Sequence, residues 1–340
     1  MKNQIACKVW KGNKLPRKIL AIRLQAMGDT VITLPYLLGL KKQYPETEIH
    51  FLTRREVSSI PRSVILFTKI FELRGGRNAK FQFLFSLFIL PWLWKENYDM
   101  VIDLQNNRIS RVVRHLLPTK SWSEFDKYST LPAGERTRRT IEAAGFLNIK
   151  IETSFELKIS KNEILSKLNY EGRREGSKMI VLNPAGAFDS RHWPIENYVS
   201  LALLLKRKHK NVQFLLLGEK NRMETQINYL KNHLSEDIVD LIGKTNPAEA
   251  FAIVKMTDLI ITEDSGLMHM AWVQHVPTLA IFGSSRSDWS APLGVWSVCL
   301  NSSDLPCGNC MLEACKYGDN RCLTRYTPEM VFEKVESLIG

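Results

Sequence analysis

Ile261-Ile-Thr-Glu-Asp264-Ser265-Gly266-Leu-Met-His269 is an apolar run that stops at two carboxylates and a glycine, then passes into helical spacing. Pro277-Thr-Leu-Ala-Ile-Phe-Gly283 follows as a second short apolar run of the kind that forms a buried strand. Strand, loop, helix, strand is the repeating element of a parallel sheet. The free N–H groups of such a helix start, together with the helix dipole, favour an exposed anion by roughly 0.3–1 kcal/mol. Phosphate is the expected guest, although a merely capped core helix would leave the same pattern.

The same alternation extends outward in both directions. Upstream, Met179-Ile-Val-Leu-Asn183 reads as a strand, and the loop Pro184 to Pro194 leads into a helix from Ile195 to Lys208. Val212 to Gly218 is another strand, with helices expected over Glu219–Leu234 and Pro247–Met256. Thr327-Pro-Glu should start a last helix, with a hydroxyl cap and proline in the first turn. In the first half, Ile19–Leu24, Glu48–Thr53 and Tyr98–Leu104 read as strands. Gln25-Ala-Met-Gly28-Asp29-Thr30 joins the first of them to a helix over Val31–Tyr44. Gly28 is expected to permit a sharp turn, and Asp29 to sit at or beside the helix start, where it can act as a cap. The polar stretch Glu171 to Ser177 is the expected linker, giving domains over 1–170 and 171–326 with a terminal helix over 327–340.

Charge separates the two halves. Residues 1–150 carry 26 Lys and Arg against 12 Asp and Glu, leaving 21 against 23 for the remainder, so the whole net charge of +12 comes from the first half. That asymmetry points to an anionic partner such as a phosphorylated sugar, an acidic lipid or a nucleic acid. Arg108, Arg111 and Arg114 recur at helical spacing on roughly one face, and Arg136 follows nearby; such guanidiniums can hold phosphates or carboxylates bidentately. A solvated basic face would look the same.

Met1 to Lys18 is polar and basic, without the apolar core of a secretory signal, so a cytoplasmic protein is expected. In Phe81 to Trp94, eleven of fourteen residues are aliphatic or aromatic. The stretch is shorter than the about 20 residues a bilayer span needs. It reads first as a core helix and second as a surface that dips into a membrane. Cys307, Cys310, Cys315 and Cys322 cluster near the end, which in a cytoplasmic protein favours a structural zinc or iron over disulfides. Reduced or redox-labile thiols are the alternative.

Two nucleotide motifs fail. Gly243-Lys244-Thr245 resembles the end of a P-loop, but Ile238 stands where its first glycine must be, and no Gly-x-Gly-x-x-Gly occurs.

Taken together, Met27-Gly28-Asp29-Thr30 with Leu34-Pro35, Asn183-Pro-Ala-Gly186 with Arg191-His-Trp-Pro194, and Asp264-Ser-Gly266 with His269 and Phe282-Gly283 resemble glycosyltransferase family 9. This family includes the ADP-heptose:lipopolysaccharide heptosyltransferases, and the likeness runs from about Arg17 to the C-terminus. It implies an α/β GT-B fold, with two Rossmann-like doubly wound domains facing a cleft and a final helix that packs back on the N-terminal domain. It further implies inverting transfer of heptose from ADP-heptose to a Kdo- or heptose-bearing lipopolysaccharide core, with Asp29 as general base. Gly28, Gly186, Arg191, Glu219, Lys244, Thr245, Asp264, Ser265, Gly266 and His269 become donor-binding candidates, and Arg108, Arg111 and Arg136 acceptor-binding ones. Arg191 matches the position of a cation for the diphosphate, and Asp264 that of a group near the ribose. The family analogy also extends to the cysteines, because some protein-modifying heptosyltransferases bind iron through four of them.

No Asp-x-Asp pair is present, so no catalytic metal is expected. The expected partners are an ADP-sugar, an anionic glycolipid and the cytoplasmic face of the inner membrane. Another sugar nucleotide, a protein acceptor, or a non-catalytic sugar-nucleotide binder would keep the same fold. Nucleic acid is not expected, since Lys316 and Arg321 are balanced by Glu313 and Asp319 around the cysteines.

Overall fold

The computed structural model describes residues 5–76, 78–186, 188–220 and 224–339. The chain divides into two compact units after Lys158.

In the first unit the strands are β1 (Cys7–Lys8), β2 (Lys18–Ile22), β3 (Glu48–Arg54), β4 (Lys69–Leu73), β5 (Met100–Asp103) and β6 (Ser121–Glu124). They form one sheet in the order β1-β6-β5-β2-β3-β4, parallel except for the β1–β6 pair. Leu20, Ile22, Leu52 and Val101 are fully buried in it, because a parallel sheet covered by helices leaves neither strand face to water. Order reverses between β2 and β5, the place where open α/β sheets leave a crevice outside their strand tips.

The second unit repeats the plan with β7 (Lys178–Asn183), β8 (Val212–Leu216), β9 (Ile238–Asp240), β10 (Leu259–Glu263), β11 (Thr278–Ile281) and β12 (Ser297–Leu300). All five pairings are parallel, in the order β12-β11-β10-β7-β8-β9, and the reversal falls between β7 and β10. Its core joins Ile180, Leu182, Phe214 and Ile261 to Trp193 and Tyr198, whose rings meet edge-on at 5.0 Å.

Three expectations change. The boundary lies twelve residues earlier than the polar linker suggests, because the helix Lys161–Tyr170 belongs to the second unit, where Lys167 pairs with Glu249 at 2.7 Å. The last helix, Pro328–Ile339, keeps its Thr327 hydroxyl cap and packs within the second unit. Val331 and Val335 are fully buried in the second core, and Glu336 takes His209 at 2.6 Å. Gly28 is not the turn residue: the helix Met27–Gln43 already contains it, and its φ is not positive.

The greasy stretch is a helix, Ala79–Lys95, but not a core helix. Its buried positions are Gln82, Ser86, Leu90 and Leu93, whereas most of its Phe, Leu and Trp side chains are exposed. Pro91 lies inside it without ending it. Among the described residues no helix is long and apolar enough to cross a membrane.

Candidate functional site

Asp29 sits in the first turn of the helix that leaves β2. Its Oδ2 accepts the Ala26 backbone N–H at 3.1 Å and pairs with Arg23 Nη2 at 2.8 Å. The carboxylate is therefore both a helix-start acceptor and a held anion, and its side chain is still 39% exposed. Arg23 is buried and also donates to the Leu104 carbonyl, which ties the tip of β2 to the tip of β5. Gln105 Oε1 strengthens that tie by accepting the N–H groups of Leu24 and Gln25, each at 2.9 Å.

Beyond these tips, Gln25, Asn107, Arg108 and Ile109 line a cavity of about 470 Å³ with Ala79, Lys80, Gln82 and Phe83. The loop around it is fixed by Asp103, which is fully buried and accepts the N–H groups of Gln105 and Asn106 and the Ser110 hydroxyl. Burial pushes the Asp103 carboxyl above its ordinary range, and these donors pull it back.

The acceptor-binding candidates separate here. Arg108 lines the cavity, and Arg111 is exposed on the same helix, Arg108–Leu116. Arg114 does not share their face; it turns inward, with Nε 3.5 Å from Asp103, an ion pair to Glu124 and the Trp122 ring at 4.1 Å. Arg136 and Arg23 both lie against the Phe125 ring, at 5.0 and 5.1 Å, which brings Arg136 to the neighbourhood of Asp29's partner.

In the second unit the organising group is Glu263, the last residue of β10, with no exposed surface. Its two oxygens accept the Gly186 N–H at 2.6 Å and the Trp193 N–H at 2.8 Å, and meet His192 Nδ1 at 2.9 Å and the Tyr198 hydroxyl at 3.4 Å. Burial raises the Glu263 pKa, while the bond to Glu263 raises that of His192. One carboxylate thus pins both ends of the loop that carries Arg191. Gly186 is required by contact: a Cβ there would stand 2.8 Å from Arg191 Cβ and 2.9 Å from Glu263 Oε2.

Across the β7–β10 reversal, Asn183 Nδ2 donates to Thr262 Oγ1 at 2.8 Å and to Ser265 Oγ at 2.7 Å. Ser265 in turn caps the helix Gly266–Trp272 through the Met268 N–H, and a Cβ on Gly266 would meet nothing within 4 Å. Arg191 Nη1 reaches Asp264 Oδ2 at 3.4 Å, its guanidinium lies 4.8 Å from the Phe188 ring, and its buried Nε has no hydrogen-bond partner among the described residues. His269 is buried, and its Nδ1 accepts the Trp272 indole N–H at 3.1 Å.

Gly186, Arg191, Asp264, Ser265, Gly266 and His269 are therefore gathered at one switch point. Glu219 and the Lys244–Thr245 pair follow β8 and β9 on the same strand-tip edge, where the Gly243 N–H donates to the Gly218 carbonyl at 2.9 Å. Lys244 is engaged with Glu171 at 2.6 Å, a bond that raises its pKa. Gly28 belongs to the first unit, with Asp29.

The four clustered cysteines line one cavity of about 260 Å³ with Ser190, Gly283 and Tyr317. Cys322's thiol is pushed up to about 11, by burial first and by Cys315, Cys310 and Cys307 after it. Among the described residues no three His, Cys, Asp or Glu side chains already stand as a metal-ligating set.

The sequence reading passed over Arg23, and named Glu263 and Asn183 only within their motifs, without a role. The signal for Glu263 was its place: a carboxylate closing a five-residue run between two parallel neighbours must be buried, and a buried carboxylate needs donors.

The chain matches the family model described as "Glycosyltransferase family 9 (heptosyltransferase)" over residues 110–320. It is 26% identical over 326 residues to the lipooligosaccharide heptosyltransferase 2 of Campylobacter jejuni, covering 92% of this chain and 95% of that one. Among solved structures it superposes on a family 9 glycosyl transferase from Veillonella parvula with a TM-score of 0.81 at 18% identity, covering 97% and 99% of the two chains. The corresponding values for the ADP-heptose LPS heptosyltransferase II of E. coli are 0.73 and 20%, covering 95% and 98%. These are GT-B structures, and the two parallel sheets described above share their fold. The chain belongs to glycosyltransferase family 9 and is a transferase of the heptosyltransferase type.

Proposed function

We propose that the protein transfers heptose from ADP-heptose to a Kdo- or heptose-bearing lipopolysaccharide core, with inversion at the anomeric carbon. The observation that carries this reading is the gathering of Arg191, Asp264, Ser265 and Gly266 at the second unit's switch point, with Arg191 on the loop pinned by Glu263. Arg191 faces the diphosphate and stabilises the charge that grows on it as ADP leaves. Asp264 takes the ribose side, and no catalytic metal is needed. In the first unit Asp29 removes the proton of the attacking hydroxyl, and Arg23 holds the carboxylate in place for it. Arg108 and Lys80, on the cavity beside the β2 tip, meet the acceptor's carboxylates or phosphates, with Arg111 and Arg136 nearby.

The names of the relatives support this donor and acceptor: those proteins are lipooligosaccharide or ADP-heptose LPS heptosyltransferases. Titration of the purified protein with ADP, UDP, GDP and CMP, followed by thermal shift, tests the donor. A ligand of the native state at a hundredfold excess over Kd stabilises it by about 2.7 kcal/mol. ADP alone is expected to do so; a shift with UDP or GDP instead would keep the fold and overturn the donor.

A structural zinc or iron at Cys307, Cys310, Cys315 and Cys322 is part of the same proposal. Four thiols around one cavity are the right donors, and the metal would have to draw them together. Elemental analysis of the purified protein is expected to give about one zinc or iron per chain, lost in Cys310→Ser; metal-free protein of unchanged stability would remove the site.

A further inference from the structure

The 79–95 helix is built inside out. It starts at Asn78, whose side chain accepts the N–H groups of Lys80 and Phe81, and its 17 residues span about 25 Å. A surface helix normally turns its polar stripe to water. Here two of the four buried side chains, Gln82 and Ser86, are polar and satisfy themselves locally, on the Gly76 and Phe83 carbonyls. Directly opposite, Phe81, Leu84, Phe88 and Trp92 form a stripe at helical spacing, 56, 46, 59 and 62% exposed. Phe83, Leu87 and Trp94 widen it on one side. An apolar face of this breadth on the outside of a folded unit marks a surface that is covered in use.

Within the two segments that carry the face and its neighbouring helix, the charge is of one sign. Arg74, Lys80 and Lys95 are exposed at its ends, and Arg108 and Arg111 are exposed on the neighbouring helix, joined to it where the Trp94 indole donates to the Leu116 carbonyl at 2.8 Å. Residues 74–95 and 104–123 contain no Asp or Glu. A second copy meeting this face would bring its cations against these, which opposes a self-paired interface. A bilayer of anionic lipid answers both features. Acyl chains accept the phenylalanines, the indoles suit the interfacial zone, and the lysine and arginine heads reach the phosphates while their stems stay apolar.

We propose that the outward face of the 79–95 helix seats this protein on the surface of an anionic phospholipid bilayer, with the helix in the plane of the interface. The cavity beside the β2 tip is lined by Lys80, Gln82 and Phe83 from the same helix, so a lipid-anchored acceptor would reach it from the membrane surface. That last link rests on the proposed transfer reaction; the docking does not.

Flotation of the full chain with vesicles tests it. On phosphatidylglycerol/phosphatidylethanolamine vesicles at low salt the protein is expected to float, with at least about tenfold stronger partitioning than on phosphatidylcholine alone. Phe88→Glu with Trp92→Glu, both exposed, is expected to lose at least about tenfold of that partitioning while keeping the wild-type Tm and the ADP-induced shift. Wild-type protein left in the soluble fraction would overturn the proposal. So would a double variant that floats as well as wild type, which would mean adsorption by charge alone. A dimer by light scattering that the double variant dissolves, without flotation, would overturn it in favour of self-association. The ADP titration reads the second unit, so failure of the donor reading and failure of the docking are separable.

Discussion

The two switch points share a topology but treat their carboxylates in opposite ways. At the first, Asp29 stands 39% exposed beside the buried Arg23; at the second, Glu263 is wholly buried and surrounded by two backbone N–H groups, His192 and Tyr198. A carboxylate that takes a proton from a substrate must be reachable, whereas one that fixes a loop is most effective when every lone pair is used inside the protein. The pair therefore separates chemistry from scaffolding, and substitution should show the division.

The largest effect is expected at Asp29. Asp29→Asn keeps the shape and should lower kcat by about 10²–10⁴-fold with little change in Tm. A variant with full turnover would reduce Asp29 to a helix cap. Arg191→Ala should follow, with about 10²–10³ lost in kcat and a smaller ADP-induced shift, since it removes one stabiliser of the leaving group. Loss of activity with an undiminished ADP response would move Arg191 away from the diphosphate. Glu263→Gln inverts the Asp29 pattern: it leaves donors of a buried network unsatisfied and should cost about 1–3 kcal/mol of stability, measured by denaturant unfolding. If it cost only activity, the scaffolding role would be wrong.

The smallest effect is one of pH. The bond to Glu263 raises the His192 pKa above its ordinary 6.5, so the native state binds the proton more tightly than the unfolded chain. The stabilisation is then full below about pH 6.5 and fades as pH rises through the raised value. The stability difference between wild type and His192→Gln should narrow between about pH 6 and pH 8; a constant difference would show that the imidazole does not titrate against Glu263.

Much of this was open to reading from the chain. Apolar runs such as Ile19–Leu24 and Met179–Asn183 are buried strands because a parallel sheet has no wet face, and they fall within a residue or two of β2 and β7. Ser121–Glu124 was not legible as a strand, since Ser-Trp-Ser-Glu has no apolar run and is held by its pairing with β5. Arg114 shows a second limit. Helical spacing put it with Arg108 and Arg111, but the ion pair with Glu124 and the buried Asp103 turned it inward, and sequence spacing carries no information about partners on another element.

What the sequence determined by itself was the alternation of strands and helices, the basic first half, and the placing of Asp29, Gly186, Arg191 and Asp264–Gly266 at strand tips, all of which follow from local pattern and chain order. Tertiary structure alone decided that Glu263 is the anchor of the Arg191 loop, that Arg23 holds Asp29, and that the greasy helix faces outward. Each of those depends on which residues distant in sequence fill the space around a side chain, and burial by a neighbour is not a property of the segment that is buried.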